Sequence, residues 1–194
     1  MLIAEPKKIR LLQIWSCIFL LWMVGNAFAD ISTNTSWHIL DSKYVEIHYH
    51  STKDLKEFDN NIDFPISSMG LKWLFKEKNP NDIENEIKQK VDAVYEKAQE
   101  ILDMRKPMKK VTIIVSHDKL ELHSLYQKIY KTSCHFRAWY VYESNTVYVN
   151  ANDVHEGILA HEFAHSIIDN YLLIRPPEAT AEILARYVDR HLFD

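Results

Sequence analysis

The chain has 194 residues, of which 47% are hydrophobic and 26% charged, with only 3 glycines and 6 prolines. That balance fits one globular domain and excludes collagen-like, low-complexity and intrinsically disordered chains. A formal net charge of −4 offers no basic stripe to a phosphate backbone, so no nucleic-acid partner is expected.

The first 29 residues read as a leader. Lys7, Lys8 and Arg10 make a positive start, an apolar run follows from Leu11 to Val24, and Ala27-Phe28-Ala29 closes it with an A-x-A pattern. This is the layout of a cleaved secretory signal peptide, so the protein is expected to be exported, either periplasmic or secreted. The apolar run of about 14 residues is short for a spanning helix of about 20. A membrane enters only if the segment stays uncleaved. Losing Lys7, Lys8, Arg10 and Glu5 leaves residues 30–194 with 20 basic and 26 acidic side chains, a net charge of −6. Cys134 is their only cysteine, so stability must come from a core and not from an internal disulfide.

Residues 30–42 are polar and turn-rich and read as a loose N-terminus. Tyr44 to His50 alternates like a strand. Residues 51–80, with Pro65, Gly70 and Pro80, suggest a short helix followed by a long loop. Ile83, Ile87, Val91, Val94, Tyr95, Ala98, Ile101 and Leu102 recur at three- and four-residue steps, which predicts a core-facing helix from near Asp82 to before Pro107. Val111 to Val115 is a buried strand, and 118–130 is helical. Phe136 to Tyr142 and Thr146 to Asn150 flank Glu143-Ser144-Asn145 as a hairpin, although no glycine marks the turn. Asp153 with Glu156 resembles a capping box, so a helix is expected to start there and run to about Tyr171. Pro177 suits a first helical position, and the last helix runs on to about Leu192. The fold class is therefore α+β, with a small mixed sheet packed on these last two helices.

The chemistry concentrates in Ile158-Leu159-Ala160-His161-Glu162-Phe163-Ala164-His165. Residues four apart share a helix face with Cβ atoms about 6 Å apart, so His161 and His165 can direct ring nitrogens at one Zn²⁺. Glu162 is rotated about 100° from His161, beside such a metal and not on it, where a general base stands. With 10 histidines in the chain, chance predicts only about 0.04 matches to H-E-x-x-H in a shuffled sequence. The helix is also strongly apolar around the motif, and ionisable groups on a buried helix are costly unless a metal or partners satisfy them.

A catalytic zinc normally takes three protein ligands. Asp169 shares the histidine face but stands a turn too far away, and His191 is a weaker candidate. Glu178 and Glu182, four apart on the last helix, are the two carboxylates in reach. His48 and His50 share one face of a strand, but two ligands alone make a poor metal site, and His117, His123, His135 and His155 read as surface or capping groups.

His161 to His165 followed by Glu182-Ile183-Leu184-Ala185-Arg186-Tyr187 resembles the gluzincin zinc peptidases, whose downstream helix reads E-G-L-A-x-Y. Here Ile183 replaces the glycine. The alternative Glu178-Ala179-Thr180-Ala181-Glu182 resembles a related pattern. Members of the group carry the ligand glutamate in the second turn of its helix, which favours Glu182. The spacing is short, with 16 residues between His165 and Glu182, as in minimal single-domain members.

The resemblance implies a zincin-like domain over 30–194, with His161, His165 and Glu182 as Zn²⁺ ligands and Glu162 as the general base of peptide-bond hydrolysis. The partner would be a peptide or protein in extended conformation, lying along the edge strand of the hairpin. Asp169, Glu178 and Asp189 are candidates to orient the histidines, and Tyr171, Tyr187 and His191 to support the oxyanion. With no second domain to build a far wall, the cleft is shallow unless residues 51–80 or a partner cover it. Two other readings remain: a zinc-containing module without turnover, and a cell-envelope protein that reads peptide or glycan through the aromatic strand.

Overall fold

A computed structural model describes residues 37–66 and 82–194. The leader and most of the loop expected before Pro80 lie outside the described residues. In chain order the elements are β1 (His38–Asp41), β2 (Val45–Tyr49), α1 (Thr52–Asn61), α2 (Ile83–Leu102), β3 (Val111–Ser116), α3 (Lys119–Tyr130), β4 (Ala138–Val141), β5 (Thr146–Asn150), α4 (Glu156–Tyr171) and α5 (Glu178–Arg190).

Strand alternation builds the core. Val45, Ile47, Val111, Ile113, Val115, Val147 and Val149 are all fully buried, because β-branched side chains at every second position stack on one pleated face. The five strands lie in the order β1-β2-β3-β5-β4. β2, β3 and β5 are parallel, whereas β1 and β4 are antiparallel to their neighbours at the two edges. The expected α+β class with a mixed sheet is what the chain forms. The buried stripes of α2 (Ile87, Val91, Val94, Ala98) and α4 (Leu159, Phe163, Ala164, Ile167) join the strand residues in one core. Leu122 of α3 gathers with Cys134, Trp139 and Val141 in a second, smaller cluster. Cys134 is a free, buried thiol. α5 packs mainly on α4, and more lightly on α2.

Three details depart from the sequence reading. The supposedly loose N-terminus contains β1, where only Leu40 is buried. Its register comes from a distant partner: the Asp92 carboxylate on α2 accepts from Ser42 Oγ at 2.8 Å and from the backbone N–H groups of Lys43 and Tyr44, both at 3.0 Å. No capping box forms at Asp153, because Arg137 Nε donates to its carboxylate at 2.9 Å and Glu156 accepts from the Asp63 N–H at 3.2 Å. α4 starts instead at Glu156, with His155 as its N-cap. Pro177 is likewise the N-cap of α5 and not its first helical residue.

The expected β4–β5 hairpin forms. It needs no glycine, because Asn145 takes a left-handed conformation at φ 51°, which asparagine tolerates better than most residues. Its buried side chain also pins the hairpin to its surroundings. Asn145 Oδ1 accepts from Ser166 Oγ at 2.7 Å, and from Tyr140 Oη and Asn170 Nδ2, both at 3.0 Å. Its Nδ2 donates to the Lys110 carbonyl at 2.9 Å. One side chain thus joins β4, the entry to β3 and two turns of α4. Asn145→Ala strands buried hydroxyls and puts in the left-handed region a residue that tolerates it less well than asparagine, so it should cost about 2–4 kcal/mol in urea unfolding. Asn145→Gly removes the same acceptor but relieves the backbone, and should recover about 1 kcal/mol of that loss.

Candidate metal centre

α4 and α5 are the most closely packed pair of helices in the described residues. Alanines make this approach possible: Ala160, Ala164 and Ala185 are fully buried and Ala181 nearly so. At the start of α4, Gly157 lies so near Asp189 of α5 that a Cβ there would collide with its carboxylate. The helices therefore run antiparallel, with the second turn of α5 opposite the middle of α4.

That register brings three donors together. His161 Nε2 and His165 Nε2 are 3.3 Å apart. Glu182 Oε2 stands 3.6 Å from the first and 3.4 Å from the second. An ion bonded at about 2.0–2.1 Å to three tetrahedrally placed N and O donors separates them by about 3.3–3.4 Å. His161, His165 and Glu182 could accordingly hold a metal ion. Glu178 lines the same cleft, but its carboxylate is not one of these donors.

The other oxygen of Glu182 is held from its own helix, where Arg186 Nε donates to Oε1 at 2.8 Å. Burial pushes the Glu182 carboxyl upward, but the Arg186 hydrogen bond and the two imidazoles outweigh it and leave the group below its ordinary value. Burial, aided by the neighbouring His161, lowers His165 to about 4. The ring is therefore neutral at physiological pH, the form in which a histidine binds metal. Glu162 is 8% exposed and forms part of the cleft wall. Its burial, reinforced by the charge on Glu182, raises its carboxyl to about 8, with the Tyr140 backbone amide pulling the other way. A buried carboxyl next to a second, half-buried carboxylate favours a cation beside them.

β4 forms the opposite wall as an edge strand whose outer side no other described strand covers. Phe136, Ala138, Trp139 and Tyr140 line the cleft from this side. The Tyr140 ring stands parallel to that of His165, with centroids 6.4 Å apart.

The other sequence candidates take different roles. Asp169 pairs with Arg175 Nε at 3.2 Å. His191 Nδ1 bonds the Tyr187 carbonyl at 2.8 Å, and the two rings are 4.0 Å apart. Tyr171 lies under Lys106 Nζ at 4.8 Å. His48 pairs with Glu46 at 2.5 Å, His50 with Glu121 at 3.1 Å and His117 with Asp54 at 2.6 Å. Among the described residues, Glu182 is the only carboxylate that forms an ion pair with His161 or His165.

Sequence reasoning missed Arg175, Arg186 and Asn145. Only Arg186 left a local signal, the four-residue step from Glu182. The other two depend on distant partners.

No helix of the described residues is long and apolar enough to cross a membrane. Comparison with known protein families, with curated proteins and with solved structures finds no match for this chain, so the gluzincin resemblance rests on its own residues.

Proposed function

We propose that the chain is an exported zinc-dependent metallopeptidase with a zincin-like catalytic domain, in which Glu162 is the general base of peptide-bond hydrolysis. The observation that carries this reading is the triangle of His161, His165 and Glu182 donors with the Glu162 carboxylate buried beside it. Two imidazole nitrogens and one carboxylate oxygen suit Zn²⁺ and leave a fourth position free, as catalytic sites do. A base adjacent to the ligands has no purpose in a closed structural site.

Zinc in such a site lowers the pKa of water and polarises a carbonyl oxygen. The chain's own residues supply the rest. Glu162 accepts the proton of the attacking water and passes it to the leaving amine, its burial excluding competing solvent. Arg186 keeps one oxygen of Glu182 occupied so that the other faces the histidines. The free edge of β4 supports binding of an extended peptide by strand addition.

Metal analysis of the purified protein should find about one zinc per chain, lost in Glu182→Ala and kept in Glu178→Ala. Removing the ion with a chelator should also lower the melting temperature by several degrees, because a ligand bound only to the folded state stabilises it. Retention of zinc by Glu182→Ala with loss in Glu178→Ala would move the third ligand to Glu178.

Glu162→Gln is nearly isosteric and should keep the zinc while cutting hydrolysis of an unfolded protein about 10²–10⁴-fold. Undiminished turnover in that variant would remove Glu162 as the base. A zinc-loaded wild type without turnover would favour a binding module.

A further inference from the structure

Arg175 is the only lysine or arginine among the described residues that line the cleft. It lies in the short connection between α4 and α5, where three features hold its guanidinium. Nε pairs with Asp169 Oδ1 at 3.2 Å, and that carboxylate's side chain is only 3% exposed. The guanidinium lies over the Tyr142 ring, 4.5 Å from its centroid. Pro176 follows directly in the chain, which disfavours helical backbone at Arg175 and narrows its conformations. The side chain nevertheless remains 54% exposed.

Asp169 occupies Nε and Tyr142 occupies one face of the plane. Among the described residues Asp169 is the one acid that forms an ion pair with Arg175, so no second carboxylate is drawn to its terminal nitrogens. A guanidinium held this way has already lost much of its rotamer freedom and offers two parallel N–H groups along one edge. That edge matches a carboxylate in bidentate geometry. Asp169 is buried behind the guanidinium, so the cleft meets the positive group and not the acid that orients it.

We infer that Arg175 anchors a carboxylate of the peptide substrate, making it a specificity-determining residue of this cleft. The inference rests on the reading of the site as a peptide-binding hydrolase. Tyr142, on which Arg175 stacks, immediately follows the last residue of β4. A peptide added antiparallel to β4 brings there a side chain upstream of the reacting bond, and the carboxylate is then that of Asp or Glu. A peptide added in parallel brings its C-terminal end, and the carboxylate is then the chain terminus. The chemistry recognised is the same in both.

The test uses the zinc-loaded Glu162→Gln protein and capped, fluorescein-labelled Ala/Ser octapeptides with a single Glu, or its isostere Gln, at each position in turn. Binding is read by fluorescence anisotropy. At one position the Glu peptide should bind about tenfold tighter than the Gln peptide, the size of a good charge-assisted pair. Adding Arg175→Gln should bring that ratio to about one. Arg175→Lys keeps a positive partner for Asp169, guards against misfolding, and should retain a reduced ratio because an ammonium lacks the planar fork. A parallel arm compares free and amidated C-termini; a preference for the free acid that Arg175→Gln abolishes assigns the terminus as the source.

A Glu/Gln ratio and a free-acid preference that both survive Arg175→Gln, or that are both absent from the parent protein, would overturn the anchor. Cleavage of the same peptides by wild type reports separately on hydrolysis. Arg175-dependent binding without cleavage leaves the anchor standing and removes the peptidase; cleavage with no Arg175-dependent preference does the reverse.

Discussion

The antiparallel contact between α4 and α5 is the constraint on which the site depends. Neither helix holds a complete donor set. α4 presents two imidazoles one turn apart and α5 a single carboxylate, and the set closes only if the helices approach closely in one register. Alanines at 160, 164, 181 and 185 allow the approach, and the space left by Gly157 against Asp189 admits the far end of α5. A bulkier side chain at any of these positions would act on the chemistry by moving Glu182 away from the imidazoles, without touching a donor atom. Stability is thereby coupled to the charge at the site. Burial raises Glu162 to about 8 and lowers His165 to about 4, so the folded chain disfavours the charged forms of both groups, and a cation held by the three donors would favour the ionised form of Glu162.

The second wall is fixed by different means. β4 is an edge strand of four residues, paired with β5 on one side and packed through Trp139 and Val141 against Leu122 of α3. Asn145 adds a polar restraint. Through Tyr140, Ser166, Asn170 and Lys110 it ties the hairpin turn to α4 and to the start of β3. The strand that borders the cleft and the helix that carries the histidines are thus fastened to the same amide group. The left-handed backbone of Asn145 therefore belongs to the positioning of the site as much as to the turn. On the proposed reading, strand addition needs an ordered backbone, and the Asn145 hydrogen bonds tie the end of β4 to α4.

What could be read from the residue order divides along the range of the interaction. His161, Glu162 and His165 were legible because a helix repeats every 3.6 residues and the motif needs nothing beyond one turn. Glu182 was legible as one of two carboxylates four apart on the next helix, and the gluzincin resemblance, not periodicity, favoured it over Glu178. The strands β2, β3 and β5 announced themselves by alternation. β1 did not, since its single buried side chain makes no pattern and its register comes from Asp92 on α2, about fifty residues on. The same holds at the start of α4. Asp153 and Glu156 carry the right spacing for a capping box, but Arg137 and the Asp63 amide compete for those carboxylates, and non-local partners win. Arg175 looked like loop composition until Asp169 and Tyr142 were brought to it.

The connection between α4 and α5 shows how a small domain builds a cleft without a second lobe. Leu172 turns the chain out of α4, and Pro177 caps α5, so few residues span the gap and their backbone has little freedom. Arg175 points into the cleft and is tied there by Asp169 and Tyr142. Leu173 and Ile174 must then stand away from the protein, at 102% and 85% exposure. Two aliphatic side chains in water are the energetic consequence of a connection too short to bury them, and a longer one could fold them back on the core. Lengthening it, however, would free Arg175 from its fixed place beside His165 and Glu182. The exposed pair is thus best understood as the cost of holding a cation rigidly at the rim, with the shape of the cleft favoured over the last increment of apolar burial.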